Sequence, residues 1–158
     1  MKTLFRYNWQ VRDDWFTWCE DVPEAELLKK RVGGVGSILH TLFHIAEVER
    51  SWIHLLRTQR DPGEPPFEDY ASLEKVKVLS NQFHKEIEPF IMSWSNEMDS
   101  EPVTITYPNG QSETFKQGEI MRHVIAHEIH HIGQLSVWAR ELGREPVTAN
   151  VISRGLFE

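Results

Sequence analysis

Four histidines fall within nine positions of the stretch RHVIAHEIHHIGQL, residues 122–135: His123, His127, His130 and His131. Around them, Ile120, Val124, Leu135, Trp138 and Leu142 recur at three- and four-residue intervals, the spacing of one buried helix face. His127 and His131 complete that stripe at positions where a helical bundle ordinarily takes Leu or Ile. Four residues on a helix correspond to about 40° of rotation and about 6 Å of rise, so both rings can point at one spot. Two neutral imidazoles supply half of a tetrahedral site for a borderline divalent ion, and zinc, nickel and iron all suit them. The plainer alternative is a pair of hydrogen-bonded core histidines. His123 lies one turn further from His131 and reads as a supporting residue, while His130 falls on a different face and reads as solvated. A further ligand must come from another helix. HTLFHIAEVE, residues 40–49, offers His40, His44, Glu47 and Glu49. His44 shares a face with Thr41, Val48 and Leu55, and His40 lies nearer the charged side with Glu47; spacing leaves both open. His54 and His84 sit among charged or polar neighbours and read as surface residues.

His127, Glu128 and His131 also spell H-E-x-x-H, the zinc-peptidase signature, in which the glutamate activates metal-bound water. The longer form of that motif fails, because Gln134 and Val137 stand where Gly and His belong. Glu141 and Glu145 follow close to the helix end rather than on a second helix turned back toward the site, and no upstream sheet is long enough to hold a peptide as an added strand. Glu128 then reads as an outward or hydrogen-bonding helix residue.

The elements that must position these side chains follow from periodicity. A first helix spans 3–19, with Leu4, Val11, Trp15 and Trp18 inward and Arg12, Asp13 and Asp14 on the other side. GGVGS, residues 33–37, leads into a second helix over about 35–57, with Ser37 as its cap, and DPGEPP at 61–66 ends it. Leu73, Val76, Leu79, Phe83, Ile87, Phe90, Trp94 and Met98 mark a third, amphipathic helix, in which Pro89 predicts a kink. PVTITYPNGQSETF alternates β-formers with polar residues around Asn109-Gly110, a hairpin signal. The fourth helix runs from about Lys116 to Leu142, and Gly143 stops it. The pattern is all-α: a four-helix bundle with a short β-hairpin inserted before the last helix, in a single domain over 1–158.

With 158 residues the chain can bury a core without staples. A net charge of -7 offers no basic stripe for phosphates and excludes a nucleic-acid partner. Cys19 is the sole cysteine, which rules out an internal disulfide and agrees with a cytoplasmic setting. No run approaches about 18 apolar residues, so no membrane partner is expected. Six tryptophans and extensive apolar helix faces suggest a homodimer joined through the first and third helices.

Two segments, SILHTLFHIAEVERSWI and GEIMRHVIAHEIHHIGQLSVWARELGREP, resemble the DinB family (YfiT-type) of bacterial four-helix-bundle proteins. The likeness extends over nearly the whole chain, including the hairpin and the Trp-containing first helix. It implies a three-histidine divalent-metal site on His44, His127 and His131, with Gly133 and Gln134 matching the positions after the last ligand. Ile132 and Ala126 depart from the Arg and Asn common there, so no anion-handling role is carried over to them. The resemblance also implies a homodimer and metal-dependent chemistry with a low-molecular-weight thiol, such as S-transfer to a small electrophile. Catalytic residues are not identified by it, and a non-catalytic metal-binding or stress-response protein is the alternative. An open position on the metal would activate a small thiol or a water for attack on a small molecule rather than a polypeptide.

Overall fold

The computed structural model describes residues 1–107 and 109–157; Pro108 and Glu158 lie outside the described residues. Four long helices, α1 (Lys2–Glu20), α3 (Ile38–Thr58), α4 (Leu73–Ser93) and α5 (Gln117–Glu141), form the bundle. Between the first two lies a single-turn helix, α2 (Glu24–Leu28), which the sequence pattern did not distinguish. Strands β1 (Pro102–Thr106) and β2 (Ser112–Lys116) form the hairpin ahead of α5. Each of α1 and α3 packs against both α4 and α5, so α1 and α3 sit diagonally across the bundle. Hairpin insertion lets α5 settle beside α3 rather than beside its predecessor α4.

Local chemistry sets the element ends. Ser37 caps α3 by accepting a hydrogen bond from the His40 backbone N–H at 3.1 Å. Gln59 closes the helix in the left-handed conformation, φ 56°, just before DPGEPP. Pro89 lies inside α4 without ending it. Contrary to the expected run to Met98, α4 stops at Ser93, and Asn96–Ser100 forms a separate 3-10 turn. There the buried Trp94 indole donates to Asp99 Oδ1 at 3.2 Å, which a continuing helix would not permit at this spacing. In β1, Val103 and Ile105 point into the core while Thr104 and Thr106 pair outward with Thr114 and Ser112. β2 passes directly into α5, whose first turn is closed by the Lys116 N–H donating to Glu119 Oε2 at 2.7 Å. Gly143, φ 68°, ends α5, and the irregular tail then straps across α1: Tyr7 Oη donates to the Ala149 carbonyl and the Trp18 indole to that of Glu145.

The core divides into two apolar clusters. One gathers Trp15, Phe16, Leu39, Phe43, Leu135 and Trp138, the other Phe5, Trp9, Ile53, Ile87, Met121 and Val124. On α1, α3 and α5 the change from one cluster to the other falls at Asn8 and Arg12, at Glu49, and at Glu128, all of which are buried. Arg12 therefore does not face solvent as expected. Val11 and Trp15 face inward on α1 as expected and Trp18 is partly buried, but the buried side also takes Phe5, Asn8, Arg12 and Cys19, and Leu4 is exposed instead. Arg12 Nη2 donates to Glu49 Oε2 at 2.6 Å, and the Trp9 indole donates to Glu49 Oε1 at 2.8 Å. Glu128 Oε1 lies 3.6 Å from Arg12 Nε, and neither Glu128 oxygen has a hydrogen-bond partner among the described residues. Burial pushes the Glu128 carboxyl up to about 8, with Arg12 opposing and Glu49 adding to the shift. Glu49 thus makes the direct contacts to Arg12, while burial favours the neutral form of Glu128. Four of the six tryptophans (Trp9, Trp15, Trp94 and Trp138) are buried within the single chain, so tryptophan content alone does not call for a second copy.

Removing one partner of a buried pair strands the other's charge. Arg12→Ala is expected to cost about 3–5 kcal/mol in urea unfolding. Glu128→Gln replaces an acid that the fold holds neutral, and is expected to cost under about 1 kcal/mol at pH 5. A carboxyl raised in the fold contributes stability that is lost as pH rises from 4.5, its ordinary value, toward about 8. The variant has no such loss, so it should gain on the wild type over that interval. A constant difference between pH 5 and pH 8 would show that Glu128 is ionised throughout.

Candidate metal centre

His44 on α3 meets His127 and His131 on α5 at the mid-bundle level of the charged layer. His127 Nε2 is 3.1 Å from His44 Nε2 and 3.1 Å from His131 Nε2. Metal–nitrogen bonds of about 2.0–2.1 Å in tetrahedral array place adjacent ligand nitrogens about 3.3 Å apart. Two of the three separations are therefore close to what one ion requires, and all three ligand atoms lie within 4.8 Å of one another. Burial and the neighbouring imidazoles lower His44 to about 4 and His127 to about 3, and burial lowers His131 although Gln134 opposes it. All three rings are accordingly neutral at pH 7, the form that ligates.

The protonation pattern of His131 is fixed by a neighbour. Its Nδ1 lies 2.8 Å from Gln134 Oε1, an oxygen that can only accept, so the ring proton sits on Nδ1 and Nε2 is left bare. The Gln134 amide nitrogen lies 3.1 Å from His130 Nε2, which satisfies the other end of the amide. Gly34, φ +52°, provides the room for this arrangement: a Cβ there would collide with Gln134 Oε1 and come within 3.4 Å of the Trp138 ring. The glycines of GGVGS thus do more than permit a flexible entry to α3.

The remaining histidines separate clearly. His40, which spacing left level with His44, stacks flat on Phe67 at 4.2 Å and 4°, drawn away by the segment that follows α3. His123 is exposed, with its ring 6.1 Å from His127 and 5.6 Å from Trp52. His130 is exposed as expected. His54 and His84 are half-buried rather than fully exposed; His54 lies 3.5 Å from Glu86, and His84 packs at 4.2 Å on Trp9. Glu128 neither faces outward nor joins the histidines. It is fully enclosed beside Arg12, leaving no route for it to serve as base toward a solvent-reached ion. Spacing carried a signal for this: Val124, Glu128 and Ile132 form a run at four-residue intervals, as do Trp9, Arg12 and Trp15 at three, so both charges sit in apolar stripes.

A four-helix bundle with a three-histidine cluster between its second and fourth long helices defines the class, and the comparisons agree. The DinB family profile matches residues 1–154, and this chain belongs to the DinB family. It is 51% identical to YizA of Bacillus subtilis (strain 168), which is described as an uncharacterized protein, over 99% of this chain and 96% of that one. Among the described residues, no helix is long and apolar enough to cross a membrane.

Gly34→Ala is expected to push Gln134 off His131 and release the imidazole proton to either nitrogen. Loss of such a supporting hydrogen bond typically lowers metal affinity about 10–100-fold. Competition against a chromophoric chelator would measure it, with Gln134→Leu giving the same loss without backbone strain. Unchanged affinity in both variants would mean that the amide does not orient the ligand.

Proposed function

We propose that this protein binds one divalent ion (zinc, nickel or iron) through His44, His127 and His131, and uses it to transfer a low-molecular-weight thiol to a small electrophile. The convergence of three imidazoles, with one ring nitrogen of each within 4.8 Å of the others, is the observation that carries this reading. The donor set fits the group: three neutral imidazoles leave the ion's full charge in place, and a protein ligand count of three leaves a coordination position open. Such an ion, when bound, lowers the pKa of a coordinated thiol or water. The chain's own part is to hold the rings in register, fix the His131 tautomer through Gln134, and leave His44 and His127 half-buried rather than sealed.

Two other readings differ in their residues. A metal-binding or stress-response protein without turnover would use the same three ligands. A peptidase would need Glu128, whose enclosure beside Arg12 argues against it. The resemblance to the family favours a homodimer and the single cysteine a cytoplasmic setting, and both belong to this reading.

Elemental analysis of protein purified without added chelator is expected to give one divalent ion per chain in the wild type and almost none in His127→Ala. Turnover of a small alkylating electrophile should require added thiol, vanish in His44→Ala, and survive Glu128→Gln. Peptide hydrolysis abolished by Glu128→Gln with metal retained would overturn the assignment. A loaded protein inert toward thiols and electrophiles would leave the non-catalytic binder. Sedimentation at micromolar concentration should give twice the chain's 18.5 kDa.

A further inference from the structure

The half-buried face of α3 that carries His44 continues along the helix as Val48, Trp52 and Leu55. Opposite it, α5 runs antiparallel, since His44 meets His127 and His131 whereas Trp52 meets His123. Between the two helices, one to two turns from the histidine centre, lies an open cavity of about 270 Å³ lined by Trp52, Phe115, Glu119, Ile120 and His123. Its walls are the rings of Trp52 and Phe115 and the Ile120 side chain. His123 and Glu119 are exposed, so the polar groups lie toward solvent. His123 joins cavity to centre through successive ring contacts, 5.6 Å from Trp52 and 6.1 Å from His127.

We propose that this cavity holds a single aromatic ring of the electrophile whose reactive atom lies at the histidine centre. The inference rests on the metal-dependent reading above and adds a substrate class to it. Size supports one ring: the volume falls just below the roughly 300–1,000 Å³ of sites for drug-sized ligands, too little for a nucleotide or a folded partner. Lining supports an aromatic group over a sugar or peptide. Trp and Phe faces favour offset or edge contacts with another ring, and a peptide's amides would find no partners on walls of Trp, Phe and Ile. Position supports a substrate role, because the His123 ring that lines the cavity lies 6.1 Å from that of His127. The hairpin gains a purpose here, since β2 delivers Phe115 to the cavity directly before α5 begins.

The probe is 4-fluorobenzyl alcohol, a neutral, unreactive single ring followed by fluorine NMR. Metal-free wild type should bind it, with affinity reduced about tenfold or more in Trp52→Ala, as loss of about 1.4 kcal/mol of ring contact requires. Trp52→Phe should restore most of that binding. Phe115→Ala, on the surface hairpin, gives an independent loss if Trp52→Ala proves unfolded by circular dichroism. In protein loaded with cobalt(II), the bound probe's fluorine line should broaden strongly relative to zinc-loaded protein, which places the ring beside the centre without any activity measurement. Equal binding by wild type, Trp52→Ala and Phe115→Ala would overturn the proposal. So would Trp52-dependent binding that cobalt leaves unbroadened although the ion is retained. Failure to retain either ion would instead defeat the metal reading while the metal-free binding series still decides the cavity.

Discussion

One guanidinium shared between two glutamates sets the register of the bundle. Arg12, Glu49 and Glu128 come from α1, α3 and α5, and each is removed from water at mid-height between two apolar clusters. Breaking the buried Arg12–Glu49 pair is costly, so α1 and α3 cannot slide or rotate independently, and the enclosed Glu128 side chain beside Arg12 seats α5 against the same layer. Fixing Glu128 against α1 fixes the helix that carries its neighbours. Because successive helical residues are about 100° apart, His127 and His131 are turned away from Arg12 and toward α3. On α3, Glu49 performs the equivalent service for His44, five residues earlier. The histidine cluster and the charged layer are two faces of a single alignment.

The same geometry separates two meanings of one motif. In a peptidase, H-E-x-x-H requires the glutamate to share the metal's open side. Here His127 is half-buried and His131 buried beside it, while the glutamate lies on the face toward Arg12, where desolvation favours its neutral form. The letters agree with the peptidase motif; the environment does not. What controls the histidines is instead Gln134, one turn further along α5, together with a glycine from the segment before α3 that makes space for it.

The hairpin and the tail complete the arrangement from opposite ends. Val103 and Ile105 close the lower cluster, and β2 runs without a loop into the capped start of α5. Beyond Gly143, the tail covers α1 with Val147, Val151 and Leu156 packed on the upper cluster, and Arg154 reaches Asp14 at 3.0 Å. The tail lacks helical or strand periodicity, which is why its packing role is not visible in the sequence.

By itself, the sequence determined what depends on neighbours a few positions away. The four long helices, the Ser37 cap, the Gly143 stop, the alternation of the hairpin and the pairing of His127 with His131 all follow from local spacing and turn chemistry. Family likeness then chose His44 over His40, and the fold shows the cause: Phe67, from a segment after α3, takes the His40 ring for itself. The placement of Arg12 and Glu128 escapes local spacing for a related reason. A charge within an apolar stripe can face water or a partner, and only the residue arriving from another helix decides which. The cavity beside His123 likewise exists only because α3, α5 and β2 bring Trp52, Ile120 and Phe115 together from three separate parts of the chain. Periodicity specifies which face of an element is apolar; the identity of whatever packs against that face is a property of the assembled bundle.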